Sequence, residues 1–133
     1  MTYQEVFEIK TKKGIDVIDI TQGIKDVLKN AKISTGLCNI FLTATTACLV
    51  INENERMLQE DIKKFFRDII NEERIYHHPS NAFSHMRANL CDKELTIPVR
   101  DGELVLGTWQ SIMLMEFDVE PRTRRIVVTV SGE

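Results

Sequence analysis

Apolar and polar side chains alternate over residues 3–9, with Tyr3, Glu5, Phe7 and Ile9 set against Gln4, Val6 and Glu8. This imperfect period of two predicts an opening strand. Lys12-Lys13-Gly14 reads as a hairpin turn into a second strand at 15–18. The period then changes. Ile24, Val27, Leu28 and Ala31 share one helical face, predicting a helix over about 20–31, with Asp19 as its cap and Gln22 at the capping-box position. Residues 37–42 and 46–51 are rich in β-branched and large apolar side chains and read as core strands. Leu58, Ile62, Phe65, Phe66 and Ile69 recur at helical spacing against Asp61, Lys63, Lys64, Arg67 and Asp68. They predict a second helix, capped by Asn52 with Glu55 three residues on, and place the phenylalanine pair in the core. A polar loop follows at 71–85, then a short helix from His85 to Leu90. Strands are expected at 94–99, 103–106, 110–117 and 124–130, with hairpin turns at Arg100-Asp101-Gly102 and at 118–123. The sum is an α+β fold, a largely antiparallel sheet or sandwich with two main helices packed on it.

Composition narrows the function. The 133 residues form one domain, and an apolar content of 43% supports an ordinary core. A net charge of −3 argues against a nucleic-acid binder. No apolar run approaches the roughly 18–20 residues needed to span a bilayer. The first residues lack the basic and apolar regions of a secretory signal, so a cytoplasmic location with no membrane partner is the expectation. Cys38, Cys48 and Cys91 form no CxxC pair and are expected as buried free thiols. Cys91, near His85, is the best placed of them for a nucleophile, although no base is evident to activate it.

All three histidines fall within one nine-residue window, His77 to His85, together with Asn81. Such clustering points to a polar site for a metal or an anion. The competing reading has them capping loop backbone, and Pro79 argues that a loop joins His78 to His85. Glu53 and Asp61 lie two helical turns apart, either as a solvated surface or as acid/base groups. Thr45 and Thr46 can offer hydroxyls and backbone N–H groups to phosphate. Trp109 is either core or the wall of a pocket, Gly107 permits close backbone approach, and Gln110 both donates and accepts. Arg87, Arg122, Arg124 and Arg125 are candidate anion ligands. Residues 110–117 are apolar on both faces, which reserves one face for the helices and the other for a neighbouring subunit.

Several of these pieces stand in the order seen in one family. They are Thr45-Thr46-Ala47, Asn52-Glu53-Asn54, Asp61, Tyr76-His77-His78, Asn81-Ala82-Phe83-Ser84-His85, Asp101-Gly102, Leu106-Gly107-Thr108-Trp109-Gln110 and the arginine-rich closing strand. The chain thereby resembles the YjbQ-like family, known as secondary thiamine-phosphate synthase. The resemblance implies a homotrimer with its site at a subunit boundary. It implies that Glu53, Asp61, His78 and His85 are catalytic and that Thr45, Thr46, Asn81, Arg87, Gly107, Thr108, Trp109 and Gln110 bind a small phosphorylated metabolite. The implied reaction joins a pyrimidine methyl pyrophosphate to a thiazole phosphate, with pyrophosphate leaving. Arg87, Thr45 and Thr46 would clamp that leaving group, while Glu53 and Asp61 stabilise positive charge. Family members carry a site of three histidines described as a metal site. Here Ala44 replaces one of them, leaving His78 and His85 as zinc ligands, and Ser80 replaces a family aspartate. Enzyme and non-catalytic phosphometabolite- or metal-binding module both remain open, with a metal-dependent hydrolase third because of Ala44.

Overall fold

In the computed structural model, which describes residues 1–133, the chain runs β1 (Thr2–Lys10), β2 (Asp16–Asp19), α1 (Thr21–Ala31), β3 (Gly36–Leu42), β4 (Ala47–Asn52) and α2 (Arg56–Ile69). It continues through α3 (Ala82–Ala88), β5 (Glu94–Arg100), β6 (Glu103–Leu104), β7 (Ser111–Glu116) and β8 (Thr123–Gly132). Two sheets result, one of five strands in the order β1-β8-β3-β5-β6 and one of three in the order β2-β7-β4. Every strand pairing is antiparallel. The expected α+β sandwich is therefore observed.

Two of the three expected hairpins are not hairpins. β1 and β2 lie in different sheets, as do β7 and β8. The turn at Gly14 (φ +86°) instead carries the chain across the sandwich, its N–H donating to the carbonyl of Asp118. Both crossing segments thus meet at one end of the molecule. The third hairpin is real: Asp101 (φ +53°) and Gly102 (φ +75°) form a two-residue loop between Arg100 and Glu103. Positive φ at both loop positions matches the twist of the flanking strands, and Asp-Gly is a preferred pair there.

The main core lies between the sheets and α1 and includes Ile24, Val27, Leu28, Ile40, Leu49, Ile112, Leu114, Ile126 and Val128. Each fully buried Val, Leu or Ile contributes about 1.5–3 kcal/mol relative to exposure, so this cluster dominates stability. A second, smaller cluster of Cys48, Phe66, Ala88, Met115 and Phe117 lies apart from it. β7 is consequently buried from Ile112 onward, its neighbouring residues dividing between the two clusters. Its second apolar face is covered by α2 and α3 of the same chain, not reserved for another subunit.

The helices depart from expectation in detail. Glu55, not Asn52, caps α2, its carboxylate accepting the N–H groups of Met57 and Leu58. Asn52 accepts the Glu53 N–H instead. Phe66 is the only fully buried residue of α2, whereas Phe65 is 55% exposed, so only half of the phenylalanine pair is core. α1 has Ile20 at its cap position with no side-chain cap, and Asp19 accepts the Thr21 N–H. α3 begins at Ala82, three residues before the predicted start.

The cysteines are the largest surprise. Cys48 and Cys91 are joined as a disulfide, with Cα atoms 5.6 Å apart, within the normal span for such a bond. Only Cys38 is a buried free thiol. Around the bridge, Leu49 and Asp92 pair antiparallel, and the Lys93 ammonium donates to the carbonyls of Ala47 and Ala88. The C-terminal end of α3 is thereby fastened to β4 by covalent, backbone and side-chain links together. The same bond removes Cys91 from consideration as a nucleophile.

Candidate functional site

The site residues read from the sequence separate into two groups at opposite ends of the small sheet. Ala47 pairs with Glu116 at one end of β4 and Asn52 with Ser111 at the other. At about 3.3 Å per residue, the ends of this ladder stand roughly 17 Å apart.

At the first end, the loop before α3 turns sharply. Ser80 takes a left-handed backbone (φ +70°), and the Asn81 N–H reaches the Pro79 carbonyl. The Asn81 carbonyl then accepts the N–H groups of Ser84 and His85, opening the helix. This turn sets His78 and His85 edge to face, with ring centroids 4.9 Å apart. His78 Nε2 lies 3.1 Å from Asn81 Oδ1. The Asn81 amide nitrogen donates in turn to Asp118 Oδ1 at 3.3 Å.

Beneath the histidines is a buried polar network that sequence reasoning missed. Asp118 is 2% exposed and Glu116 fully buried. Asp118 accepts from Arg122 Nε at 2.7 Å, from the Thr46 hydroxyl at 3.2 Å and from the Val119 N–H at 2.8 Å. Burial opposes its ionisation, but the Val119, Arg122 and Asn81 donors together outweigh that and hold its pKa below the ordinary value. Arg124 meets Glu116 through two nitrogens, at 2.7 and 2.6 Å, and also donates to the Thr46 hydroxyl. The Thr11 hydroxyl completes the shell of Glu116. Two of the predicted anion ligands are therefore spent internally, because Arg122 and Arg124 neutralise buried carboxylates. The Thr46 hydroxyl is likewise committed, donating to Asp118 and accepting from Arg124.

Arg87 is also withdrawn from an anion role. It is 1% exposed, with one nitrogen donating to the Ile70 carbonyl at 2.9 Å and its guanidinium carbon 5.2 Å from the centre of the Phe83 ring. Beside the histidines, Arg74, Tyr76, His78 and Phe83 help to line a hollow of about 300 Å³. Thr45, Arg125 and His77 are exposed, and Ala44 packs half-buried against the main core.

The second end holds the other group. A cleft of about 620 Å³ is lined by Asp19, Thr21, Gln22, Lys25, Gly107, Thr108, Gln110 and Ser111. The Gln110 side chain accepts the Gly107 N–H at 2.7 Å and closes the turn. Trp109 stands at its tip, 72% exposed, and is neither core nor cleft wall within the chain. Glu53 is half-buried beyond the end of β4, and Asp61 is exposed on α2 beside Arg56, Met57 and Glu60. Lys25 and Gln22 join this end only through folding, since the helical pattern marks them merely as solvent-facing.

The chain's own donors do not make up a catalytic zinc site. His78 and His85 come together, but no group of three His, Cys, Asp or Glu side chains is placed to hold a metal, and a catalytic zinc takes three protein ligands. No helix is long and apolar enough to cross a membrane.

A family model described as "UPF0047 protein YjbQ-like" matches residues 5–133. A UPF0047 protein of Archaeoglobus fulgidus is 41% identical over 123 residues, covering 90% of this chain and 94% of that one. Another from Methanothermobacter thermautotrophicus is 38% identical over 134 residues, covering 98% and 93%. Among solved structures, a YbjQ-like protein of unknown function from Sulfolobus solfataricus superposes with a TM-score of 0.90 at 33% identity, covering all of both chains. A hypothetical protein from Aeropyrum pernix gives a TM-score of 0.93 at 32% identity, covering 98% of this chain and 99% of that one.

Proposed function

The chain belongs to the UPF0047 YjbQ-like family, and from that premise we propose a transferase of small phosphorylated substrates, competent for thiamine-phosphate formation. In that reaction the thiazole nitrogen forms a bond to the pyrimidine methyl carbon, whose bond to the pyrophosphate oxygen breaks. The observation that carries the reading is the His78–His85 pair. Two imidazoles held 4.9 Å apart beside an open hollow can hold a phosphate or pass a proton to a bound substrate. Arg74, on the same hollow, takes the leaving-group role that the sequence assigned to Arg87. Thr108, Gln110 and Lys25 supply donors for the second phosphate at the other cleft.

Glu53 and the cleft stand at the far end of β4 from the histidines, too far to act with them in one chain. Their separation supports a site shared between subunits of a homotrimer, in which Glu53, Asp61 and Trp109 of one copy face the histidines of the next. A non-catalytic phosphometabolite-binding module is the second reading. It is favoured by the internal neutralisation of Arg122 and Arg124, which leaves fewer cations for a departing pyrophosphate.

Pyrophosphate release from the two substrates, followed with purified protein, separates these readings. Turnover that falls by about 10²–10⁴ in His78→Ala and His85→Ala is the expected result. Calorimetric binding of thiazole phosphate with no turnover in the parent protein would establish the binding module instead.

A further inference from the structure

Asn81 stands between two partners of opposite demand. On one side is Asp118, 2% exposed and ringed by donors from Val119, Arg122 and Thr46. An ionised carboxylate only accepts hydrogen bonds, so the side of the amide facing Asp118 has to be its NH₂ group. The amide oxygen is thereby turned toward His78, 3.1 Å from Nε2. A carbonyl oxygen also only accepts, so Nε2 has to be the nitrogen that carries the hydrogen.

The geometry points to Asp118 as a positioning residue that acts through Asn81 to hold neutral His78 as its Nε2–H tautomer, leaving Nδ1 as the ring's one basic lone pair. The inference rests on the proposed function only for what Nδ1 does, namely accept a proton or meet a substrate phosphate. The tautomer itself follows from the hydrogen bonds. Asn81 is then a polarity-fixed spacer. It passes the orientation set by a buried acid to an exposed ring without itself changing charge. Second partners of this kind commonly decide which imidazole nitrogen reacts.

The test uses ¹⁵N-histidine-labelled full-length protein and two-bond ¹H–¹⁵N correlation spectra, recorded above the pH at which His78 loses its extra proton. The parent protein is expected to show Nε2 as the protonated nitrogen of His78 and Nδ1 as the bare one, in a single form. In Asn81→Ala the lock is gone, and a measurable fraction of His78 moves to the Nδ1–H form while His85 is unchanged. Asp118→Asn, whose new amide no longer dictates which way Asn81 points, gives the same shift in smaller degree. Because Asp118 also holds Arg122 and Thr46, Asn81→Ala decides the matter if Asp118→Asn does not fold. Neutral His78 protonated on Nδ1 in the parent, or a His78 tautomer unmoved in Asn81→Ala, overturns the inference. Neither result bears on pyrophosphate release, so the proposed function stands or falls on its own assay.

Discussion

Arg124 illustrates how one side chain can be both misread and indispensable. From the sequence it is a cation on a closing strand, open to a phosphate. In the fold it is the sole cation paired with a carboxylate that water does not reach. Removing one partner of a buried pair strands the other charge, so Arg124→Ala should cost about 3–5 kcal/mol in urea unfolding. Lysine should not restore this, since it lacks the planar fork that meets both oxygens. Asp118 makes a second prediction. Its folded pKa is held below the unfolded value, so its contribution is complete above roughly pH 4, the unfolded carboxyl range, and disappears as pH falls through the folded value. An Asp118→Asn variant, where it folds, should show a shallower loss of stability than the parent across that acidic window. Neither acid was legible beforehand. Glu116 was one polar residue in an apolar run and Asp118 a turn residue, and no local pattern distinguishes a buried carboxylate from a solvated one. The histidines were legible as a cluster because all three occupy one short window and their loop folds locally around Pro79 and Ser80.

At the scale of elements, periodicity marked β1, α1 and α2, because a half-buried strand and a one-faced helix each leave their own repeat, while apolar composition and turn residues marked the other elements to within a few residues. The pairing of strands left no such trace. Turn residues at Gly14 and at 118–123 look the same whether the chain doubles back or crosses to the facing sheet. Only the Asp101-Gly102 turn carried a sequence specific enough to name its geometry. Phe65 and Phe66 show a related limit, since neighbours in a helix point about 100° apart and only one of them can face the second cluster. Cys48 and Cys91 lie on elements whose proximity depends on that hidden topology. Their bond predicts a distinctive thiol count. Native protein should show no reactive thiol, because burial pushes the Cys38 thiol up to about 11. Unfolding without reductant should release one, and unfolding with reductant all three, as read by a colorimetric thiol reagent.

For the whole molecule, the surface carries apolar side chains with no partner in the chain, Trp109 at 72% exposure and Met57 at 68% among them. Light scattering is expected to return three times the 15.3 kDa chain mass at micromolar concentration. The emission of Trp109, the single tryptophan, should move to the red when dilution or mild denaturant separates the subunits before they unfold. A monomer mass would remove the shared-site reading, since one chain keeps its two ends apart. The bond between Cys48 and Cys91 has one more consequence. It closes a covalent ring that includes α2, the exposed stretch 71–80 and α3, so both histidines hang within it. A protease that cuts after Arg74 would sever the backbone without parting the molecule. The nicked protein would run as one species on a gel until reductant is added, and only then fall into two pieces.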